Sequence, residues 1–263
     1  MNTEERMRVR VPVAAVRAGP CGDATQVTQA LFGEMLHVLE ATDGWCRVRL
    51  DADGYEGYVR TGDIEPLPPE AGTAEEKVLT PSLPRTLMFP HPDIKATPVR
   101  PVFMGARLLP EKRQERFTRI AGGGWVVTEH LAPHGAVGAD PAALAEAFLH
   151  VPYLWGGRTA EGIDCSGLVQ IALVMAGYGD IPRDTCDQVE KIGSPLPREQ
   201  ARSGMLRRGD LVFWRGHVAM MLDGRHIIHA NAHHMRVAVE PLAEAVARIE
   251  ASGGGPVTAV RRP

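Results

Sequence analysis

Short apolar runs cut by tight-turn signals constrain the first half of this chain more than any other feature. Met35-Leu36-His37-Val38-Leu39, Trp45-Cys46-Arg47-Val48-Arg49-Leu50 and Tyr55-Glu56-Gly57-Tyr58-Val59 follow one another, with Asp43-Gly44 and Asp53-Gly54 between them. Runs this short, joined by Asp-Gly turns, are strands of a small barrel or sandwich rather than helices. Residues 1–70 are therefore assigned to a first β unit. Pro66-Leu67-Pro68-Pro69-Glu70-Ala71-Gly72 has the composition of a linker.

Residues 71–136 are assigned to a second all-β unit. It is loop-rich, with five prolines between Pro81 and Pro98. Its segment Gly124-Trp125-Val126-Val127 resembles Gly57-Tyr58-Val59, and each is followed by a polar turn and an apolar exit ending in proline (Ile64-Glu65-Pro66; Leu131-Ala132-Pro133). The two units read as a weak internal repeat of one small barrel.

The pattern changes near residue 140. Asp140-Pro141 is an N-cap and N1 pair for a helix through Ala142–Leu149. A loop with Pro152 and Gly156-Gly157 follows. A second helix is expected from Cys165 or Ser166 to about Ala176, because Leu168, Val169, Ala172, Leu173 and Ala176 fall at helical spacing. Strand-like runs at Leu211–Trp214, His217–Leu222 and Arg225–Ala230 precede a helix around Leu242–Ile249. Residues 137–263 thus read as an α+β domain, helices first and an antiparallel sheet after.

Composition narrows the partners. The net charge of −3 gives no electrostatic reason to expect nucleic acid or an anionic membrane surface. The start, Met1-Asn2-Thr3-Glu4-Glu5-Arg6-Met7-Arg8, is charged and is followed by no apolar core of signal-peptide type. No run approaches the ~18 apolar residues that span a bilayer, so a cytoplasmic location is expected. The cysteines Cys21, Cys46, Cys165 and Cys186 form no CxxC pair, which argues against a cysteine-rich zinc site.

The chemistry centres on Gly162-Ile163-Asp164-Cys165-Ser166-Gly167-Leu168. A cysteine that opens a helix after a Gly-rich loop meets unpaired amides and the positive end of the helix dipole, which favour a nucleophilic thiolate. A thiolate nucleophile needs a base. His217 opens one strand-like run and His229 lies in the next, across Asp223-Gly224. Strand faces alternate, so loop length decides whether the two imidazoles meet. A two-residue loop would oppose them. A three-residue loop, Asp223-Gly224-Arg225 with a left-handed glycine, makes them diagonal neighbours on one face. The second arrangement is expected, with His229 orienting His217 as the third member of a triad. His226, His229, His233 and His234 are dense enough to raise metal binding. No Asp, Glu or Cys stands at ligand spacing among them, however, and no metal or cofactor is assigned.

Four segments now stand in order: Val151-Pro152-Tyr153-Leu154-Trp155-Gly156-Gly157, Asp164-Cys165-Ser166-Gly167-Leu168-Val169, Arg208-Gly209-Asp210-Leu211-Val212-Phe213-Trp214 and His217-Val218-Ala219-Met220. Over residues 140–250 they resemble the NlpC-type bacterial cell-wall endopeptidases, a circularly permuted papain-like group. The resemblance implies a papain-like catalytic domain that cleaves γ-D-glutamyl bonds to a diamino acid in peptidoglycan stem peptides. It implies Cys165 as nucleophile, His217 as base and His229 as third member. It also implies that Tyr153, Asp164 and Ser166 contact substrate, Tyr153 together with the Cys165 amide serving the oxyanion.

The run Ala24–Glu34 and then Asp53-Gly54-Tyr55-Glu56-Gly57-Tyr58 is similar to the first bacterial SH3-like domain of a subgroup that recycles wall peptides. Two small SH3-like β-barrels before the catalytic domain are expected on that basis. In the subgroup the barrel caps the cleft, so short peptides with a free N-terminal L-Ala bind, and an acidic residue after the catalytic helix holds the amine. Asp184 is the candidate for that role and Tyr55 the candidate from the barrel. The expected product is L-Ala-γ-D-Glu. The competing readings are an endopeptidase on intact peptidoglycan, a non-catalytic wall-peptide binding module, and an acyltransferase or amidase on the same scaffold.

Overall fold

The computed structural model describes residues 5–67, 78–136 and 138–263. They form two compact units that divide between His134 and Gly135. Residues 68–72 of the expected linker lie outside the described residues.

The first unit begins with β1 (Glu5–Val9), β2 (Val13–Arg17), β3 (Gln26–Leu31), β4 (Met35–Thr42), β5 (Trp45–Leu50), β6 (Glu56–Arg60) and β7 (Ile64–Pro66). They form one antiparallel sheet in the order β3-β2-β6-β5-β4-β1-β7. Inward residues Val9, Val16, Leu36, Val48, Val59 and Ile64 make its core. Next come β8 (Leu79–Pro81), β9 (Arg85–Phe89), β10 (Arg100–Phe103), β11 (Pro110–Gln114), β12 (Phe117–Ile120), β13 (Trp125–Val127) and β14 (Leu131–Pro133). Five of these pair in the order β10-β9-β13-β12-β11, and β14 pairs with β8. Each of the two strand sets ends on a similar connection. Strand β6 leads through a 3-10 turn at Thr61–Asp63 into β7, and β13 leads through Thr128–His130 into β14. The two short exit strands are the Ile-Glu-Pro and Leu-Ala-Pro segments.

The second unit contains α1 (Pro141–Glu146), β15 (Arg158–Thr159), β16 (Gly162–Ile163), α2 (Cys165–Met175), α3 (Thr185–Lys191), β17 (Ser194–Leu196), α4 (Gln200–Ser203), β18 (Leu211–Trp214), β19 (His217–Met221), β20 (His226–Asn231), β21 (Arg236–Pro241), α5 (Leu242–Ala251) and β22 (Ala259–Arg262). Its six-stranded sheet runs β17-β22-β18-β19-β20-β21. Helix α2 packs on β19 and β20. Leu242, Ala245 and Val246 of α5 join Val212, Trp214, Ala219, Met221 and Ile227 in a core cluster.

Two departures from the expected elements have local causes. Asp140 caps α1, its carboxylate accepting from the Ala142 amide at 2.9 Å, but the helix stops at Glu146 rather than Leu149. The amides of Phe148, Leu149 and Val151 each bond three residues back, and His150 takes φ +71° to reverse the chain. Helix α2 buries all sides rather than one apolar stripe. Even Gln170 is 2 % exposed, its amide donating to the Ile181 carbonyl at 2.8 Å.

Candidate active site

Asp164 sets the position of Cys165. It is the N-cap of α2, and its carboxylate accepts from the Gly167 amide at 2.7 Å and from the Gly156 amide at 2.8 Å. The loop and the helix start are thereby tied to one side chain. Glycine is required where they touch: a Cβ on Gly167 would lie 2.4 Å from the Gly157 carbonyl oxygen. Behind the cap sits Arg183, 2 % exposed. It donates to Asp164 Oδ2 at 2.6 Å and to Ser166 Oγ at 2.7 Å.

Asp164 and Ser166, both expected to touch substrate, are engaged by Arg183 and by the loop amides. An ionised carboxylate that caps a helix in a closed site needs such partners to offset its lost hydration. Arg183 itself was not singled out as a site residue from sequence. No local pattern tells which of the two adjacent polar residues, Arg183 or Asp184, turns inward.

Cys165 is 7 % exposed. The backbone amides of Val218 and Ser166 bond its sulfur and favour the thiolate. Burial outweighs them and, with the adjacent Asp164 carboxylate, pushes the thiol up to about 12. This reverses the expectation of a lowered thiol: the helix start is present, but Asp164 brings a negative charge to the same end. The Val218 bond brings the start of β19, and so the residue beside His217, against the cysteine.

His217 and His229 meet. Nε2 of His217 lies 2.8 Å from Nδ1 of His229. The β19–β20 register pairs Met220 with Ile228 and Met221 with Ile227, and the Leu222 amide donates to the His226 carbonyl. The connecting loop is therefore Asp223-Gly224-Arg225, and the histidines are diagonal neighbours on one face. The loop does not use a left-handed glycine, since Gly224 is absent from the positive-φ backbone positions. Asp223 Oδ1 closes it instead, accepting from the Arg225 amide at 2.7 Å and the His226 amide at 2.8 Å. Burial drives His217 down to about 3, and the nearby His229 and Arg248 act in the same direction. Both shifts favour the neutral forms, thiol and imidazole.

A third strand extends this row. Nε2 of His229 lies 2.7 Å from Glu240 Oε1 on β21, and Arg248 of α5 is hydrogen-bonded to the same oxygen. Glu240 also changes the metal argument made from sequence, which found no carboxylate near the histidines. Donor atoms of His229, His234 and Glu240 come within 4.8 Å of one another. Two of the three are already committed to the His217–His229–Glu240–Arg248 chain.

Tyr153 belongs to the same region, its amide donating to the Met235 carbonyl at 2.9 Å. Burial raises its phenol to about 12, with Cys165 and Asp164 adding to the effect, so the hydroxyl remains a donor across the working pH range. Asp184 is half-buried at the N-cap position of α3 and makes no side-chain cap bond there. Tyr55 lies in the first unit and packs against the core of the seven-stranded sheet.

A buried cysteine at a helix start beside a strand-borne histidine pair, with an antiparallel sheet behind, defines a papain-like cysteine hydrolase. Residues 150–250 match the NlpC/P60 family and residues 16–64 match the bacterial dipeptidyl-peptidase SH3 domain. The chain carries an NlpC/P60 domain with an N-terminal SH3-like domain and is a cysteine peptidase. It is 26% identical over 248 residues to the gamma-D-glutamyl-L-lysine dipeptidyl-peptidase of Bacillus subtilis (strain 168), covering 88% of this chain and 80% of that protein. Dipeptidyl-peptidase 6 of Lysinibacillus sphaericus is 32% identical over 118 residues, 45% of this chain and 41% of its own length. The fold is that of an NlpC/P60 family protein from Bacillus cereus ATCC 10987, with a TM-score of 0.81 at 20% identity over 98% of this chain and 99% of the other. Among the described residues, no helix is long and apolar enough to cross a membrane.

Proposed function

We propose that this peptidase hydrolyses the γ-D-glutamyl–diamino acid bond of short peptidoglycan stem peptides with a free N-terminal L-Ala, releasing L-Ala-γ-D-Glu. In this reading Cys165 is the nucleophile, His217 the general base and His229 the group that orients it. The observation that carries the catalytic roles is the 2.8 Å contact between His217 and His229 beside the buried thiol. The substrate assignment is supported by relatives named as dipeptidyl-peptidases and by the matching SH3 domain.

The steps use the residues in place. His217 takes the proton of Cys165 as sulfur attacks the γ-carbonyl of D-Glu, so a neutral pair is charged only on the way to the tetrahedral intermediate. The Cys165 amide and the Tyr153 hydroxyl donate to the oxyanion. His217 then protonates the departing amine, and water releases the dipeptide from the thioester. No metal or organic cofactor takes part. Asp184 is proposed to pair with the N-terminal ammonium, which needs a carboxylate partner when desolvated.

A role on free wall peptides fits a cytoplasmic enzyme, and all four cysteines are free thiols. The proposed domain limits are 1–70 and 71–136 for the two barrels and 137–263 for the peptidase. Digestion of free and N-acetylated L-Ala-γ-D-Glu-diamino acid, followed by mass spectrometry, tests the substrate. Cleavage of the free peptide alone is expected. Activity on intact sacculi with none on the free peptide would overturn the assignment.

A further inference from the structure

We infer that Glu240, clamped by Arg248, is a positioning residue that fixes the tautomers of His229 and His217 and so selects the ring nitrogen that serves as base. The inference rests on the proposed roles of Cys165 and His217 and extends the chain two residues beyond them.

The argument is one of donors and acceptors. The His229 side chain is fully buried and that of Glu240 is 11% exposed, so neither imidazole nitrogen of His229 can rely on solvent. Arg248 has only donors, so Glu240 Oε1 accepts from it. Burial pushes the Glu240 carboxyl up, but the hydrogen bond and charge of His229, then the charges of Arg248 and His234, hold it below its ordinary value. It is ionised and can only accept. A neutral His229 therefore carries its proton on Nε2 and presents Nδ1 as an acceptor. His217 Nε2 lies 2.8 Å from that Nδ1 and must then be protonated. A neutral His217 with its proton on Nε2 has its lone pair on Nδ1, ready to receive the proton of a thiol.

The fold builds this row from register. Ile227 pairs with Glu240 and His229 with Ala238, so Glu240 is diagonal to His229 across β20–β21 as His217 is across β19–β20. Ala219, Met221 and Ile227, which share the face of this row, pack against α5. Arg248 sits on that helix. His234 donates Nδ1–H to Asn231 Oδ1 at 3.0 Å and so does not compete as a donor through that nitrogen.

Removing the carboxylate lets Arg248 donate to His229 Nε2 instead. That would put the His229 proton on Nδ1, turn the His217 contact around and leave His217 protonated on the wrong nitrogen.

The test is long-range proton–nitrogen NMR of the 15N-labelled full chain, read with steady-state kinetics on the free tripeptide. In the wild type at neutral pH, His217 should carry its proton on Nε2; finding it on Nδ1 overturns the inference without any variant. Glu240→Ala should move the His217 proton toward Nδ1 and lower kcat roughly 10- to 100-fold at a KM within about twofold. Glu240→Gln, whose amide oxygen can still accept from both neighbours, should keep the wild-type tautomer and most of kcat. Wild-type tautomer or wild-type kcat in Glu240→Ala would overturn it. If the tripeptide is not cleaved at all, the substrate assignment fails while the tautomer measurement still judges this inference.

Discussion

Arg183 Nη2 lies 2.6 Å from Asp164 Oδ2, and both groups are shut away from solvent at the base of the loop that presents Cys165. The pair acts through the helix cap. Asp164 orders Gly156 and Gly167 by accepting their amides, and Arg183 pairs with that carboxylate while also donating to Ser166. The reactive cysteine is thus aimed by a buried ion pair one residue upstream of it.

Arg183→Met should be strongly destabilising, because it leaves Asp164 as a buried charge without its partner. A loss of about 3–5 kcal/mol is expected. Denaturant unfolding of the catalytic unit, followed by the fluorescence of its tryptophans, measures it. A loss below about 1 kcal/mol would show that the carboxylate is held by its amides alone.

Gly167→Ala tests the close approach of helix and loop. Its Cβ would come 2.4 Å from the Gly157 oxygen and 3.0 Å from Asp164 Oδ1, so backbone has to move. We expect about 1–3 kcal/mol of destabilisation. Activity should fall more than stability, since the displaced segment carries Cys165. Unchanged kcat would mean that the loop yields freely.

The ionisation of the pair predicts how stability depends on pH. His217 falls from 6.5 in the open chain to about 3 when folded, so between these values the unfolded chain binds the extra proton. Stability from this group is present above about pH 6.5 and is lost as pH falls toward 3. Burial is the main cause; His229 and Arg248 add to it and Glu240 opposes it. Cys165 rises from 9.0 to about 12, so its contribution is present below pH 9 and lost as pH climbs toward 12. Urea midpoints across pH for wild type, His217→Gln and Cys165→Ala should show the acid slope lessened in the first variant and the alkaline slope in the second. Parallel curves for all three would contradict the neutral resting pair.

Much of this was legible in the sequence, and what escaped it has physical causes. The Asp-Gly turns marked the strands of the first sheet, and Asp140-Pro141 marked the start of α1, because both signals are local. The three-residue loop between β19 and β20 followed from parity. Glu240 was missed because strand β21, Arg236-Val237-Ala238-Val239-Glu240-Pro241, was not recognised. Its alternation of Val237 and Val239 with Ala238 and Glu240 was a usable signal, but a weak one over six residues. Arg248 was hidden in an ordinary amphipathic helix. The Arg183 partner of Asp164 and Ser166 is not legible because sequence shows that a cap is possible, not which partner the cap will find. The thiol shift ran opposite to expectation for the same reason: a helix start is visible in sequence, and the burial that outweighs it is not.

The account stands on Cys165 as the nucleophile, and turnover by a matched set of thiol variants tests it most directly. Wild type, Cys165→Ala and Cys21→Ala are each incubated with free L-Ala-γ-D-Glu-diamino acid, and release of the dipeptide is followed by mass spectrometry. Cys21 is an exposed free thiol and serves as the control. Wild type and Cys21→Ala should release L-Ala-γ-D-Glu at rates within about twofold, and Cys165→Ala should be slower by at least roughly 10⁴-fold. Release by Cys165→Ala within tenfold of wild type would contradict the account.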